Sequence, residues 1–355
     1  MKFGVLIGTR PGIVKMAPVF HAVRKAGYDP VLIHSGQHYS QIMDSRMMAD
    51  VNLPDPDYRV FKPEDCKSHG EQTAFMLINI EKALMKAKPD FFFVCGDANT
   101  NLAGALASRK LDIPVGHVEA GLRSFDWRMP EEHNRRMIDH ISDVLFCPTT
   151  ECLKNLETES VVGASYVVGN TIADSILNVS NQEESLVGLD EILITLHRQE
   201  NVDDINILRF LLSEIRQIVE YSCSAAVFFM HPRTLSLVEK YELSGLLGGD
   251  IEIRSPVSYR EMVHRIKNAK FILTDSGGLQ EEACILRTPC FTLRVSTERP
   301  ETVACGANTI LGIEQPFRNF YEAKDLILRD WDSPFGDGTA ANKIVAHTIN
   351  WLGSS

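Results

Sequence analysis

The first half of the chain alternates short, fully apolar runs with longer stretches in which apolar residues recur every three or four positions. The short runs are typical of strands buried on both faces, and the longer spacing is typical of amphipathic helices. The predicted strands are Phe3–Ile7, Pro30–Ile33, Phe91–Cys95, Pro114–Val118, Val144–Phe146 and Tyr166–Val168. The predicted helices are Met16–Lys25, Glu71–Met85, Leu102–Lys110 and Glu131–Ser142. This alternation predicts a parallel sheet covered by helices on both faces.

A polar segment, Asn178–Ser185, interrupts the alternation and is interpreted as the end of an interdomain helix followed by a linker. A second series of strands then follows: Ile192–Leu196, Ala225–Met230, Ile251–Ile253, Phe271–Thr274 and Pro289–Leu293. The tail Ala340–Leu352 has helical spacing. A chain of 355 residues is long enough for two cores. We therefore predict an α/β protein with two doubly wound domains, residues 1–172 and 173–339, that face each other across a cleft.

One stretch of the second series combines a strand, a glycine turn and a helix start. Phe271–Thr274 leads into Asp275–Gly278, and helical spacing continues to about Leu286. Successive glycines let the backbone approach an anion, and the free N–H groups at a helix start favour a phosphate. Glu281 and Glu282 are expected in or near the first turn, where a carboxylate could accept hydrogen bonds from ribose hydroxyls. The pattern fits equally well a plain turn whose acids interact with the helix dipole.

Conspicuous polar residues directly follow predicted strands in both halves of the chain. In open parallel sheets, ligands bind outside the carboxyl ends of the strands. Two sheets that both present such residues would line one interdomain cleft. Any one segment could be a turn, but six occurrences favour binding. The six are Gly8–Pro11, Gly96-Asp97, Glu119–Arg123, His197-Arg198, His231–Arg233 and Asp275–Gly278.

Several charged residues of the first half are candidates for chemistry. Arg10 and Lys15, about one helical turn apart, would supply positive charge near a phosphate unless both are simply solvated. Asp97 ends a strongly apolar strand, so partial desolvation would suit it to proton transfer, and its alternative role is to cap the next helix. Glu119 is a functional candidate because Glu is neither a good turn former nor a good cap. A buried structural pair with Arg123 is the competing account.

The segment Pro130-Glu131-Glu132 opens a predicted helix. Proline is favoured at the first helical position, and acids there are favoured by the helix dipole. Arg135 and Arg136 follow four residues later and could pair with the two acids. Local structure alone could therefore explain this segment, and a functional role for Glu131 stays open from the residues themselves.

Net charge and cysteine usage indicate which binding partners and which cellular compartment to expect. The chain has 36 Lys and Arg against 47 Asp and Glu, a net charge of −11, which argues against nucleic-acid binding. The eight cysteines are scattered and mostly lie in apolar runs, as is typical of buried free thiols in a reducing compartment. No apolar run reaches the length of a membrane span. We expect a cytoplasmic protein with neither a nucleic-acid nor a membrane partner.

His197 and His231 stand at predicted strand ends beside basic residues, although such histidines are more often structural. No spacing of His and Cys indicates a metal site. No nucleophile elbow occurs, and Gly4, Gly8 and Gly12 lack the spacing of a dinucleotide fingerprint. We therefore expect neither a metal nor a nicotinamide cofactor.

Together these residues form a series of motifs that spans nearly the whole chain. They are Gly8–Pro11 with Lys15, Gly36–His38, Gly96-Asp97, Gly116–Arg123, Pro130–Glu132 with Asn134-Arg135, Gly169–Thr171, His197-Arg198 with Glu200, His231-Pro232, Asp275–Glu282 and Thr297–Glu301. The series, in this order, resembles the non-hydrolysing UDP-N-acetylglucosamine 2-epimerase family.

The resemblance implies a GT-B-like pair of Rossmann domains, with a C-terminal helix of about residues 340–355 packing back onto the first domain, and a homodimer. It implies that a UDP-sugar is inverted at C2 without NAD or metal, by elimination and re-addition of UDP through a glycal. By matching positions, the acid–base and sugar-contacting residues would be Asp97, Glu119, Glu131 and His197. The matching UDP contacts would be Arg10, Lys15, Arg198, His231, Ser276, Gly277, Gly278, Glu282 and Arg299.

The chain departs from the family's pattern in two places. Gly12 stands where the family usually has Glu, which is expected to loosen the loop and remove a charge beside Arg10. The segment after His38 differs from the pattern associated with regulatory UDP-GlcNAc binding. Relatives act on other UDP-sugars, including diacetamido uronic acids. A GT-B glycosyltransferase and a non-catalytic UDP-sugar sensor are the alternative functions.

Overall fold

The computed structural model of the chain describes residues 1–36, 41–60, 68–181, 190–313, 317–323 and 330–354. The chain divides into two compact units: unit 1 comprises Met1–Ser175 and Phe335–Ser355, and unit 2 comprises Ile176–Pro334. The motif residues Gln37 and His38, the segment that follows them to residue 40, and linker residues 182–185 lie outside the described residues.

Unit 1 is built on a parallel sheet. Its strands are β1 (Phe3–Ile7), β2 (Val31–His34), β3 (Tyr58–Arg59), β4 (Phe91–Cys95), β5 (Val115–Val118), β6 (Val144–Cys147) and β7 (Ala164–Val167). Its helices are α1 (Arg10–Lys25), α2 (Gln41–Asp50), α3 (His69–Ala87), α4 (Asn99–Lys110), α5 (Pro130–Ile141), α6 (Thr150–Thr158), the first half of α7 (Thr171–Ser180), and α15 (Ala340–Ser354). The strand order is β3-β2-β1-β4-β5-β6-β7. The order reverses between β1 and β4, which is where ligands bind in doubly wound sheets.

The central strand β4 shows why this sequence forms a two-faced core. Its phenylalanines are inaccessible to solvent, and successive side chains point to opposite faces of the sheet. Phe92 belongs to a cluster with Ile80 and Leu84 of α3. Phe91 meets Trp351 of α15, with ring centroids 6.0 Å apart. A strand as apolar as β4 is therefore stable only because helices cover both of its faces.

The C-terminal helix is anchored to unit 1 by a buried carboxylate. Asp174 accepts hydrogen bonds from the backbone N–H groups of Ala340 (3.2 Å) and Ala341 (2.9 Å) at the start of α15. These donors have no partner within the helix, and a carboxylate at this end also favours the helix dipole. Further along, the His347 ring stacks on Tyr166 at 4.0 Å. These contacts tie a segment distant in sequence to the sheet of unit 1.

Unit 2 contains a second parallel sheet. Its strands are β8 (Ile192–Thr195), β9 (Ala226–Phe229), β10 (Ile251–Arg254), β11 (Phe271–Thr274), β12 (Cys290–Thr292) and β13 (Asn308–Ile310). Its helices, after the second half of α7, are α8 (Gln199–Val202), α9 (Ile205–Ser222), α10 (Pro232–Lys240), α11 (Tyr259–Asn268), α12 (Gly277–Ile285), α13 (Pro300–Ala304) and α14 (Arg318–Ala323). The order β10-β9-β8-β11-β12-β13 reverses between β8 and β11. The loops after these two strands therefore open at the switch point of this sheet.

The predicted fold class, two doubly wound α/β sheets, is confirmed. Most predicted strands lie within one or two residues of the observed ones, and β4 and β11 have the predicted bounds. Helix α1 begins at Arg10 and not at Met16, because Thr9 caps its first turn by accepting a hydrogen bond from the Gly12 N–H. The short strands β3 and β13 were not predicted, since two or three residues show no period.

Two further expectations concern the cysteines and membrane-spanning helices. The thiols of Cys95, Cys147, Cys284 and Cys290 are free and buried, as the apolar runs around them predicted. Within the described ranges, none of the helices combines the length and the apolar character needed to cross a bilayer.

Candidate active site

Unit 1 has a cavity of about 480 Å³ at the carboxyl ends of β1, β4 and β5. Four charged side chains line it: Lys15, Asp97, Glu119 and Glu131. The remaining lining residues are Thr9, Pro11, Gly12, Gln72, Cys95, Gly96, Ala98, Asn99, Asn101, Pro130 and Asn134. Four of the site residues predicted on this unit are thus brought together. Arg10, on the same helix as Lys15, is not among the described residues that line the cavity.

Lys15 and Glu119 form a buried ion pair in this cavity. The Lys15 Nζ lies 2.5 Å from Glu119 Oε1, and the two side chains are only 11% and 8% exposed. Asn170 donates to the same oxygen at 3.4 Å. The competing account, a pair between Glu119 and Arg123, is wrong, because Arg123 pairs with Asp139 at 2.8 Å. The local cation for Glu119 comes instead from α1.

Glu119 also has an unusual backbone conformation. Its φ angle is +71°, in the left-handed region that side chains other than glycine rarely adopt. The N–H groups of Glu119 and Ala120 both donate to the Phe146 carbonyl oxygen at 3.1 Å, which holds the turn after β5 in place. Such strain persists only where the surrounding structure enforces it, and it is concentrated at functional sites.

Asp97 forms an ion pair with Arg135 that was not predicted. The carboxylate accepts a short hydrogen bond from the Arg135 guanidinium, and its side chain is 35% exposed. The side chain is thus partly buried, as expected, and a cation on α5 compensates its charge. The alternative role as a helix cap is wrong, because Ala98 occupies that position. The Asn134 amide donates to the Asp97 carbonyl oxygen at 2.9 Å and fixes the loop itself.

The two acids at the start of α5 have different environments. Glu132 is inaccessible and accepts from Arg135 (2.9 Å) and Arg136 (3.2 Å), as the helical spacing predicted. Glu131 is exposed and lines the cavity. Among the described contacts, Arg135 and Arg136 pair with Glu132 and not with Glu131. The neighbouring Glu131 and Glu132 thus separate into a cavity-facing acid and a structural one.

In unit 2, a buried carboxylate organises the loop that carries two predicted residues. Asp275 is inaccessible and accepts from the backbone N–H groups of His197 (2.9 Å) and Arg198 (2.8 Å). It also contacts His197 Nδ1 at 3.0 Å and the Asn201 amide at 3.1 Å. Burial raises the pKa of Asp275, but the contacts with His197 outweigh it and hold the pKa below its usual range. Asp275 therefore positions the His197-Arg198 loop as an anion.

The glycine turn after β11 has the predicted structure. Ser276 is the N-cap of α12, and Gly277 and Gly278 are its first two residues. A Cβ added at Gly277 would lie 3.5 Å from Glu298 Oε2 and 4.0 Å from an Arg198 guanidinium nitrogen. The helix start, Arg198 and Glu298 therefore share one neighbourhood, which contains the backbone donors that an anion requires.

Glu281 and Glu282 are the fifth and sixth residues of α12, so they lie directly after its first turn and not in it. Glu281 is buried and pairs with Arg299, whose Nε lies 2.6 Å from Glu281 Oε1. Burial, together with the nearby Glu281 carboxylate, raises the pKa of Glu282 to about 8. A Glu282 carboxyl that stays protonated near neutral pH can donate as well as accept a hydrogen bond.

Two further observations complete unit 2. His231 is exposed and caps α10, where its Nδ1 accepts from the Arg233 N–H at 3.2 Å. Glu298 contacts Arg294 at 2.6 Å and Arg198 at 3.4 Å. Burial raises the pKa of Glu298, but these two arginines outweigh it and lower the pKa to about 2. In the described part of both units, no three His, Cys, Asp or Glu side chains cluster as metal ligands would.

The arrangement, acids in the cavity of one unit and a glycine turn that opens a helix in the other, matches the motif series. The model of the UDP-N-acetylglucosamine 2-epimerase family matches residues 21–348. The chain belongs to this family. The resemblance drawn from the motifs is thereby confirmed.

Individual members of the family are similar over nearly their whole length. The UDP-N-acetylglucosamine 2-epimerase of Methanocaldococcus jannaschii is 45% identical over 97% of this chain and 98% of its own. The crystal structure of that organism's UDP-GlcNAc 2-epimerase in complex with UDP-GlcNAc and UDP has a TM-score of 0.81 at 44% identity, covering 99% of this chain and 100% of that one. The UDP-2,3-diacetamido-2,3-dideoxy-D-glucuronate 2-epimerase of Pseudomonas aeruginosa is 36% identical over 98% of this chain and 99% of its own.

Within this family member, the departure at Gly12 has a defined structural setting. Gly12 is the third residue of α1, and its N–H donates to Thr9 Oγ1 at 3.2 Å. An added Cβ would meet only Thr9 Oγ1 within 4 Å, at 3.1 Å. The expected loosening of the loop is not observed, because the residue lies in a capped helix. The missing side chain instead leaves space at the cavity.

Proposed function

We propose that this protein reversibly converts UDP-N-acetylglucosamine into UDP-N-acetylmannosamine by inverting C2 of the sugar. The observation that carries the proposal is the cavity of unit 1, which gathers Asp97, Glu119 and Glu131 around a single lysine. Epimerisation at an unactivated carbon requires a proton to be removed on one face and delivered on the other. Several acid–base groups around one reacting centre supply that requirement.

The proposed reaction has two balanced steps. A base removes the C2 proton, the C–H electron pair forms the C1–C2 double bond, and the C1–O bond breaks with its pair leaving on UDP. In the return step, UDP adds to C1 of the glycal while an acid delivers a proton to C2 on the opposite face. Because the C2–H is weakly acidic, departure of the diphosphate must be assisted by cations and helix N–H groups.

Support for the acid–base roles in unit 1 comes from how the side chains are held. Glu119 is fixed by Lys15 and by its strained turn, and Asp97 is fixed by Arg135. Glu131 opens α5 and faces the same cavity. We assign the proton transfers to these three carboxylates. His197, held by Asp275 in unit 2, belongs to the same group in the proposal.

We assign UDP binding mainly to unit 2. The start of α12, where Gly277 and Gly278 follow the N-cap Ser276, offers backbone N–H groups and the positive end of the helix dipole to the diphosphate. Arg198 lies beside this helix start and would supply charge. The partly protonated Glu282 suits a ribose hydroxyl, which both donates and accepts. The remaining assigned contacts are Arg10, Lys15, His231 and Arg299.

The test is turnover in heavy water. The protein is incubated with UDP-GlcNAc in D₂O, and the product is examined by NMR and mass spectrometry. The proposal requires UDP-ManNAc that carries deuterium at C2, and a glycal released at low level. Product without deuterium would exclude the elimination route. Transfer of the sugar to an added acceptor would indicate a glycosyltransferase, and binding of UDP-sugars without any turnover would indicate a sensor.

Among the sugars on which members of the family act, we propose that this protein takes a neutral HexNAc. Lys15 and Arg135 already pair with Glu119 and Asp97, and Glu131 adds a further negative charge to the cavity, so a sugar with its own carboxylate would be repelled. A panel containing UDP-GlcNAc and a UDP-diacetamido-glucuronate tests this directly. A higher kcat/KM for the uronate would show that the relative from Pseudomonas is the better guide to the substrate.

We also propose that the protein acts in the cytoplasm as a homodimer, as its family resemblance suggests. Buried free thiols such as those of Cys95 and Cys284 are consistent with a reducing compartment. Sedimentation equilibrium of the purified chain tests the dimer, and a single species at 39.7 kDa would contradict it. Cell fractionation tests the compartment.

A further inference from the structure

Behind the cavity, a buried histidine links the loop after β4 to helix α5. The His117 Nδ1 lies 2.7 Å from Asp139 Oδ1, and both side chains are inaccessible. Its Nε2 lies 3.0 Å from the Gly96 carbonyl oxygen. Both partners offer oxygen acceptors to the two ring nitrogens. Asp139 also accepts from the Gly121 N–H at 3.3 Å and thereby holds the turn that follows Glu119.

From Asp139 the contacts continue away from the cavity. Asp139 pairs with Arg123 at 2.8 Å, and Arg123 forms two hydrogen bonds to Glu159, at 2.9 and 2.7 Å. Glu159 then pairs with Arg136 at 2.6 Å. Glu159 lies just beyond the last residue of α6, and its side chain is 16% exposed. It is not among the cavity's lining residues.

The contacts then return to the cavity. Arg136 pairs with Glu132 at 3.2 Å, Glu132 with Arg135 at 2.9 Å, and Arg135 with Asp97. Asp97 directly follows Gly96, where the contacts began. We call this series of eight acidic and basic side chains the charge ring. Its members, in order, are His117, Asp139, Arg123, Glu159, Arg136, Glu132, Arg135 and Asp97. Four basic and four acidic side chains alternate along it, and the peptide from Gly96 to Asp97 closes it.

This alternation makes the members interdependent. From Asp139 to Arg135, each member of the ring has a group of opposite charge on both sides, and its desolvation is compensated only while both partners are in place. Burial raises the pKa of Asp139, for example, but His117 and Arg123 outweigh it and hold the pKa below its usual range. Arg135 can hold Asp97 in one place only because Glu132 holds Arg135, and Glu132 is shared with Arg136.

We propose that the charge ring positions the Asp97 carboxylate for the reaction, and that Glu159 is a positioning residue that never touches the substrate. The inference rests on the proposed epimerisation. Without Glu159, the Arg136 guanidinium turns towards Glu132, and Glu132 then holds Arg135 less firmly. Asp97 is the partly exposed member of the ring that pairs with Arg135, so a displacement of Arg135 also displaces Asp97. A misplacement of about 1 Å at a reacting group can cost on the order of 100-fold in rate.

The test compares Glu159→Gln with Glu157→Gln, the same substitution at an exposed position on α6. We expect Glu159→Gln to lower kcat for UDP-GlcNAc by about 10- to 100-fold, while KM changes by less than about threefold, since the substrate is bound elsewhere. Glu157→Gln should stay near the wild type in both constants. Glu159→Asp retains the charge and should recover part of the lost kcat, which a merely structural effect would not reproduce.

A second variant covers the case in which Glu159→Gln does not fold. Arg136→Gln opens the ring between Glu159 and Glu132 but leaves each of them one arginine, so no buried charge loses its last partner. The same selective loss of kcat is expected. A folded variant of either kind with kcat within about twofold of the wild type would overturn the inference while leaving the proposed function intact. If the wild type itself shows no turnover of UDP-sugars, the proposed function fails and this inference fails with it.

Discussion

Replacing Glu119 by Gln tests the central assignment with the smallest change in shape. The substitution keeps the length of the side chain and an oxygen that can accept from Lys15. It removes the charge that pairs with Lys15 at 2.5 Å, and it removes the group that we assign to proton transfer. Stability and catalysis are therefore both affected, and their magnitudes can be estimated separately.

The effect on stability follows from burial. Removing one partner of a buried ion pair costs about 3–5 kcal/mol, because the other charge is left without compensation. The amide oxygen of the introduced glutamine would retain one hydrogen bond to Lys15, so we expect about 3 kcal/mol, which is a decrease in Tm of roughly 6–12 °C. The effect on catalysis is seen as a large fold-change in kcat. Loss of an acid–base group lowers kcat by about 10²- to 10⁴-fold, or about 3–5 kcal/mol in the barrier.

Three measurements separate the two effects. Turnover of UDP-GlcNAc gives kcat, titration calorimetry gives the affinity for UDP, and thermal unfolding gives Tm. We expect the affinity for UDP to change by less than about threefold, because UDP binding is assigned mainly to unit 2. The double variant Lys15→Met with Glu119→Gln removes both charges. It should recover most of the stability, since no buried charge is left unpaired.

The double variant also contains the decisive outcome. If Glu119 transfers a proton, turnover stays low when stability returns. If turnover and stability recover together, Glu119 is only the structural partner of Lys15, and the assignment is refuted. An equal loss of UDP affinity and kcat in the single variant would lead to the same conclusion.

Three further substitutions test other parts of the structure. Gly12→Glu completes a capping box with Thr9 and replaces a poor helix former, so the free energy of unfolding in urea should rise by about 1–2 kcal/mol; a decrease would mean that the cavity rejects the side chain. Asp275→Asn removes the anion that holds the His197 loop, so the affinity for UDP should fall by about tenfold or more in calorimetry, and an unchanged affinity would contradict this role. The pKa of Glu282 is raised from 4.5 to about 8, so the folded state binds the proton more tightly than the unfolded state. The free energy of unfolding of the wild type should therefore fall, relative to Glu282→Gln, as the pH rises from about 4.5 to about 8, as followed by urea titrations; parallel curves would show that the carboxyl is not shifted.

The sequence predicted where the candidate residues lie better than it predicted which residues they form ion pairs with. Strand ends could be located because β4 and β11 are runs of consecutive apolar residues, and a parallel sheet brings such ends to one edge. Partners depend on which helix packs beside that edge, and no local period contains this information. Lys15 and Glu119 are 104 positions apart, and Asp97 and Arg135 are 38 apart. The predicted pairing that is confirmed, between Glu132 and the arginines of α5, lies within one helix and has helical spacing.

Sequence reasoning missed the structural role of two buried aspartates. Each unit contains an inaccessible aspartate that accepts from a histidine Nδ1, Asp139 from His117 and Asp275 from His197, at 2.7 and 3.0 Å. Each also accepts from backbone N–H groups of a loop that carries candidate residues. In the sequence, Asp139 stands among polar helix residues and is indistinguishable from a solvated position, because charged residues are usually exposed. A buried anion can remain charged only if its donors hold it on several sides, and the same donors are then fixed by it. Each aspartate therefore anchors a loop of its own unit that carries candidate residues, although neither is among the residues that line the cavity of unit 1.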